Sequence, residues 1–253
     1  MIENPVLFEE KDQIGLLTLN RPASINALNQ SMIENLHRVL DELQEKSAVR
    51  VLILTGAGQK GFCSGMDIKE SAPKLFEATC EQIYYYQSIV SALIAKMRKI
   101  PQPIIAAIDG VAAGAGFSFA LAADIRIITP QAYFNAAYIN LGLGGADLAS
   151  SYFLPRLIGT GRAYEFLLTG NAMTAPEAMA LGLASRMVEK EKLMDVAYDM
   201  ARKMVEKNPL GLRMTKEAIN LNIDAASLEQ AMHIENRNQS FLIAAMKFES
   251  QSK

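Results

Sequence analysis

Apolar positions along this chain recur with two different periods, and the changes of period mark out its elements. Val6-Leu7-Phe8 and Ile14 to Leu19 read as two short strands separated by the polar turn Glu9 to Gln13. Asn20-Arg21-Pro22 stops the second strand, and Asn26-Ala27-Leu28 follows. Met32, Ile33, Leu36, Val39, Leu40 and Leu43 then fall at helical spacing, opened by a capping box of Ser31 and Glu34. Val51-Leu52-Ile53-Leu54 is a continuous apolar run ending in Thr55-Gly56-Ala57-Gly58, the pattern of a buried strand. Lys74 to Lys99 predicts a long helical stretch that stops at Ile100-Pro101-Gln102-Pro103. Ile104 to Ile108 predicts the next buried strand, a small-residue helix runs through Ala123, and Asp124 to Thr129 returns as a strand. Thr174-Ala175-Pro176-Glu177 is a capping box with proline in the first turn, and Ala184 to Val188 predicts another strand. From there Lys192 to Lys207, Pro209 to Leu221 and Ser227 to about Lys247 read as helices alone.

Strand and helix alternate up to about residue 190 and then give way to helices, which predicts an α/β core (1–190) with a helical C-terminal region (191–253). No low-complexity linker or internal repeat separates the two, so the last helices are expected to pack on the core or on another subunit.

Composition narrows the function. Net charge is 25 − 27 = −2, without the basic field that nucleic acid or an anionic membrane calls for. No apolar run is long enough to cross a bilayer; Ile104 to Ile108 is cut off at Asp109. Two cysteines, Cys63 and Cys80, and no leader pattern at Met1 to Pro5 predict a reducing cytoplasm. The only histidines, His37 and His233, do not lie in His-Glu-x-x-His spacing, so no metal site is expected.

Three features carry candidate chemistry: Phe62 to Ile68, Gly110 to Gly116, and Asp147. The first two are glycine-containing turns that follow apolar strands and lead into helices, where N–H groups are left unpaired. Two such turns meeting at one point would hold a carbonyl oxygen that becomes negative during reaction. Local structure offers a second reading of each. Ser64 or Asp67, with Glu70, can cap a helix; Gly110, Gly114 and Gly116 can serve tight helix packing; Asp147 can be an N-cap. The glycines match neither a dinucleotide fingerprint nor a P-loop. Gly61-Phe62-Cys63-Ser64-Gly65 sets its serine one residue late for a nucleophile elbow, and Cys63 reads as a small buried residue. Asp147 stands in an apolar Gly/Ala loop, an environment that raises a carboxyl pKa and suits it to carrying protons.

Taken together, Asn20-Arg21-Pro22 with Asn26-Ala27-Leu28, Phe62 to Glu70, Pro103 to Asp124, Leu154 to Gly159, and Leu168-Thr169-Gly170 with Ala180 to Leu183 resemble the crotonase (enoyl-CoA hydratase/isomerase) superfamily nearly end to end. The resemblance implies a Clp protease-like spiral of ββα turns, a C-terminal helical region that builds trimers, often paired into hexamers, and acyl-CoA thioester substrates. It implies that the N–H groups of Ser64 and Ala115 form the oxyanion hole and that Ser64, Gly65, Met66, Asp67 and Ile68, with Ala23, Ser24 and Ile25 opposite, line the coenzyme A pocket. Coenzyme A would be part of the substrate, and no separate cofactor is implied.

The chain also departs from that family. Hydratases of the family use two glutamates, whose positions here carry Ser118 and Tyr138. Asp147, eight residues before Pro155, stands where single-aspartate members, the ring 1,2-epoxyphenylacetyl-CoA and dienoyl-CoA isomerases, place their carboxylate. One carboxylate can move a proton between two carbons, whereas adding water is best served by two. The expectation is double-bond isomerisation through an enolate with Asp147 as proton carrier. The alternatives are 2-enoyl-CoA hydration using Asp147 and water, and a non-catalytic acyl-CoA-binding protein. Aryl-CoA dehalogenases resemble the stretch Asp147 to Tyr152, but their histidine base aligns with Ser91.

Overall fold

The computed structural model describes residues 4–45 and 48–251. The chain opens with the hairpin β1 (Val6–Lys11) and β2 (Ile14–Leu19), followed by α1 (Gln30–Glu45). Then come β3 (Val51–Gly56), β4 (Gly61–Cys63), α2 (Ile68–Glu77) and α3 (Cys80–Lys99). A second round is β5 (Ile104–Ile108), β6 (Val111–Ala113) and α4 (Ala115–Ala122). A third is β7 (Ile125–Ile128), β8 (Tyr133–Asn135), α5 (Ser150–Ile158) and α6 (Thr160–Thr169). The core closes with β9 (Ala172–Thr174), α7 (Ala175–Ala180) and β10 (Arg186–Met187), before α8 (Lys190–Val205), α9 (Pro209–Asn222) and α10 (Leu228–Gln251).

Each round sends its first strand to one sheet and its second to another. The six-stranded sheet runs β1-β2-β3-β5-β7-β10 and is parallel except between β1 and β2. The four-stranded sheet runs β4-β6-β8-β9, parallel until its last pair. This is the expected spiral of ββα turns. The apolar run at Val51 to Leu54 makes sense here because both faces of β3 are covered. Leu52 and Leu54 join the core with α1, α3 and α4, while Val51 and Ile53 meet Leu193, Ala197 and Ala201 of α8. Thus α8, which the sequence pattern assigns to the C-terminal helical region, covers the outer face of the main sheet.

Three local expectations change. The Ser31/Glu34 capping box does not form: Asn29 Oδ1 accepts the Met32 N–H at 3.0 Å, so the helix begins two residues earlier, and Glu34 accepts from Gln30. The Lys74 to Lys99 stretch is two helices, divided at Ala78-Thr79, where Thr79 and Gln82 form a capping box of their own. The four-stranded sheet is absent from the sequence pattern because its strands have three residues each, too few to establish an alternation. The Thr174/Glu177 box forms as expected, with Thr174 N–H donating to Glu177 Oε2 at 2.8 Å.

α9 is fixed to the core by Lys216, whose buried Nζ donates to Gln102 O at 2.8 Å and pairs with Asp124 at 3.0 Å. Among the described residues no helix is long and apolar enough to cross a membrane.

Candidate active site

The small sheet places the two glycine turns side by side. β4 and β6 are parallel neighbours, Cys63 opposite Ala112, so the segments leaving their C-terminal ends emerge together. Gly65 holds φ +100°, and a Cβ there would come 3.1 Å from Ala113 O and 3.3 Å from Ala115 N. Only glycine accepts both that backbone and that approach. Gly116 lies closer still to β4: a Cβ on it would come 2.2 Å from Cys63 O. The glycines therefore bring the start of α4 against the end of β4.

The sequence expectation about which amides are available needs correction. Ser64 N–H donates to Ile25 O at 2.9 Å, and its Oγ donates to Ser24 O at 3.1 Å, so Ser64 fastens the Ala23 to Ile25 loop. Gly65 N–H faces Cys63 Sγ at 3.5 Å. Leu28 N–H donates to Gly65 O at 2.7 Å and Asp67 N–H to Leu28 O at 2.8 Å, a parallel bridge between Leu28 and Met66. In such a bridge the central residue's own N–H points away from its partner. Among the described residues no acceptor takes the Met66 N–H. Ala115 is the first residue of α4, capped by Gly114, and its N–H likewise has no intrahelical partner. Among the described residues Met66 and Ala115 thus each offer a free amide where the two turns meet. A bridge between residues 28 and 66 leaves no mark in sequence spacing, so Met66 could not be singled out there.

Asp67 is committed to structure. It caps α2 through the Glu70 N–H (3.3 Å) and pairs with Arg21 at 2.8 Å, while Arg21 also reaches Glu70 at 2.8 Å. Ile68 is half exposed. The loop opposite is held by fully buried Asn26, which accepts from Arg21 N–H (2.9 Å) and donates to Ala57 O (2.9 Å) and Gly61 O (3.0 Å). That clamp offsets left-handed backbone at Ile25 (φ 52°) and Asn26 (φ 54°).

Asp147 lies half-buried in the loop before α5. Its carbonyl accepts the Ser150 N–H (2.9 Å) and its N–H donates to Ser150 Oγ (3.1 Å), but the N-cap position belongs to Ala149. Oδ1 accepts from Leu148 N–H at 2.8 Å and from Gln87 Nε2, on α3, at 2.6 Å. Among the described residues Oδ2 has no partner. Leu148 (φ 44°) and Ala149 (φ 65°) are both left-handed, each costing on the order of 1 kcal/mol or more. Burial raises the Asp147 pKa, opposed by the hydrogen bonds from Leu148 and Gln87.

Ser118 and Tyr138, which the resemblance sets at the two glutamate positions, are buried and share a hydrogen bond of 2.9 Å. Ser118 Oγ also lies 3.4 Å from Asp147 O, and the Tyr138 ring comes within 3.6 Å of a Cβ placed on Gly114. Met66, Ala115, Tyr138, Ser118 and Asp147 thus belong to one connected site. Burial pushes the Tyr138 hydroxyl pKa far up, outweighing its bond with Ser118. Burial likewise pushes the Cys63 thiol up to about 12, which leaves it an inert small residue.

Comparison with known proteins identifies the family. The family described as enoyl-CoA hydratase/isomerase matches residues 9–252. A Mycobacterium leprae protein named as a probable enoyl-CoA hydratase is 39% identical over 240 residues, 94% of this chain and 81% of its own. The 1,2-epoxyphenylacetyl-CoA isomerase of Escherichia coli is 35% identical over 92% of this chain and 88% of its own. The crystal structure of enoyl-CoA hydratase from Bacillus anthracis superposes with a TM-score of 0.89 at 32% identity, covering 95% of this chain and 91% of that one. The chain belongs to the enoyl-CoA hydratase/isomerase family and is an enzyme of the crotonase superfamily.

Proposed function

We propose that this enzyme shifts the double bond of an unsaturated acyl-CoA thioester through an enolate, with Asp147 carrying the proton. The thioester oxygen would sit between the Met66 and Ala115 N–H groups. Asp147 Oδ2 takes a proton from the carbon next to the thioester, and the electron pair moves onto the oxygen. The same carboxyl, half-exposed so that its proton exchanges with solvent, then delivers a proton at the γ carbon as the carbonyl reforms, turning a 3-enoyl into a 2-enoyl thioester with no change in composition. Each fixed amide donor is worth about 3 kcal/mol of barrier. The scheme calls on no resident cofactor, coenzyme A being part of the substrate.

One observation carries this reading: the site has one partly buried carboxylate with an unengaged oxygen, and two hydroxyls bonded to each other where a hydratase would need carboxylates. The Ser118–Tyr138 pair has no group able to take a proton from water near neutral pH. The rival reading is hydration of 2-enoyl-CoA by Asp147 and water, favoured by the name of the mycobacterial relative. Supplying 3-enoyl-CoA and crotonyl-CoA in parallel separates them. Isomerisation of the first that disappears in Asp147→Asn is expected. Faster hydration of the second would put the rival in its place.

The coenzyme A moiety is assigned to Ser64 to Ile68 and the facing Ala23 to Ile25, supported by the bonds that tie Ser64 to Ser24 and Ile25. A homotrimer or hexamer is supported by α10, where Met232, Phe241, Ile243 and Met246 are exposed. Two free cysteines suit a reducing cytoplasm.

A further inference from the structure

We infer that Gln87 is a positioning residue for Asp147, holding Oδ1 so that Oδ2 is the oxygen presented to substrate. This rests on the proton-carrier reading of Asp147 above. A carboxylate turns freely between two equivalent faces about its last torsion. The Leu148 N–H alone, coming from the next residue, tethers one oxygen but fixes the plane only loosely. Gln87 adds a second donor to the same oxygen from an element 60 residues away, at 2.6 Å. Two donors on Oδ1 and none on Oδ2 distinguish the two oxygens. Near an ionised carboxylate only the NH2 side of the Gln87 amide can point inward, because the carboxylate accepts and does not donate.

The rest of α3 explains how Gln87 is delivered. Val90, Leu93, Ile94 and Met97 bury the second half of the helix in the core. Its first half, capped by Thr79 and Gln82, extends beyond the core with Tyr84 and Tyr85 exposed. Gln87, itself exposed, stands between the two halves and spans the gap to the Asp147 loop. The bond favours the charged form of Asp147, so it counters the effect of burial on that carboxyl. Among the described residues the titratable group across the site that senses the Asp147 charge is Tyr138, and burial keeps its hydroxyl protonated.

Gln87→Met keeps the length and removes the donor, whereas Gln87→Lys restores a donor and adds positive charge. Both substitutions are at one exposed position, so folding is not at stake. For isomerisation of a 3-enoyl-CoA, Gln87→Met is expected to lower kcat by roughly tenfold to a hundredfold with little change in KM, as befits a hydrogen bond to a charged group. Its acidic limb should move to higher pH, and that of Gln87→Lys to lower pH. A role in packing alone would move both limbs the same way, or neither, and that result overturns the inference. Wild-type turnover that is lost in Asp147→Asn but unchanged in Gln87→Met overturns it while leaving the proton-carrier reading intact. Turnover that ignores Asp147 removes both. A carbon-13 titration of the Asp147 carboxyl reads the contact without any reaction: its midpoint should rise in Gln87→Met, and an unmoved midpoint also overturns the inference.

Discussion

Ser118 and Tyr138, deeply buried on one side of the site, satisfy their hydroxyls on each other at 2.9 Å, while Asp147, half-buried on the facing loop, keeps one oxygen unengaged. The difference separates filling from function. A buried hydroxyl pair lowers the cost of polar atoms in the interior and has no proton to exchange near neutral pH. A carboxylate held on left-handed backbone at Leu148 and Ala149, with its pKa raised by burial, is placed at an energetic cost that packing alone does not explain.

The largest effect expected from breaking this contrast is Asp147→Asn, which should cut isomerisation by about a hundredfold to ten-thousandfold. The same variant sharpens the point through stability. Asp147 has a folded pKa above its unfolded value, so the fold favours the protonated form and its stability falls as pH rises through the range between the two. Removing the charge at neutral pH should leave the melting temperature equal or higher while activity collapses; a lower melting temperature would make Asp147 a structural residue. In the wild type the raised pKa places the acidic limb of kcat above the ordinary aspartate value of 3.8, since the carboxyl must be ionised to begin.

Ala115→Pro comes next. Proline is tolerated at the first position of a helix, so the change removes one amide donor and should cost about a hundredfold to a thousandfold in kcat with circular dichroism unaltered. Gly65→Ala puts a Cβ 3.1 Å from Ala113 O at φ +100°, and should lower stability by roughly 1–3 kcal/mol along with activity. The smallest effect belongs to the other side of the contrast. Tyr138→Phe leaves Ser118 without its 2.9 Å partner and should cost about 1 kcal/mol in denaturant titration, with turnover close to wild type. A large loss of turnover there would give the hydroxyl pair a chemical task.

Much of this was legible in the chain. The buried face of α1 identifies its element because it repeats a period over enough residues, and the runs at Val51 and Ile104 identify theirs because each is continuously apolar and closed by turn residues. Asp147 stands out through its Gly/Ala setting, and the two glycine turns through their place after apolar strands. The small sheet that aligns those turns did not show, since three-residue strands carry no period. The amide donor shifted from Ser64 to Met66 for a related reason: Ile25 and Leu28 take up the neighbouring backbone groups, and such pairings between distant loops are set by tertiary packing. Gln87 was hidden likewise, a polar residue on an exposed turn whose partner lies 60 positions on.

Solvent deuterium entering the α and γ carbons of a 3-enoyl-CoA bears most directly on the proposal that a single carboxyl moves the proton beneath two fixed amides. Mass spectrometry of recovered thioester should find the label with wild type and not with Asp147→Asn. Wild-type enzyme that returns thioester without deuterium, or a variant that incorporates it as readily, would contradict the account.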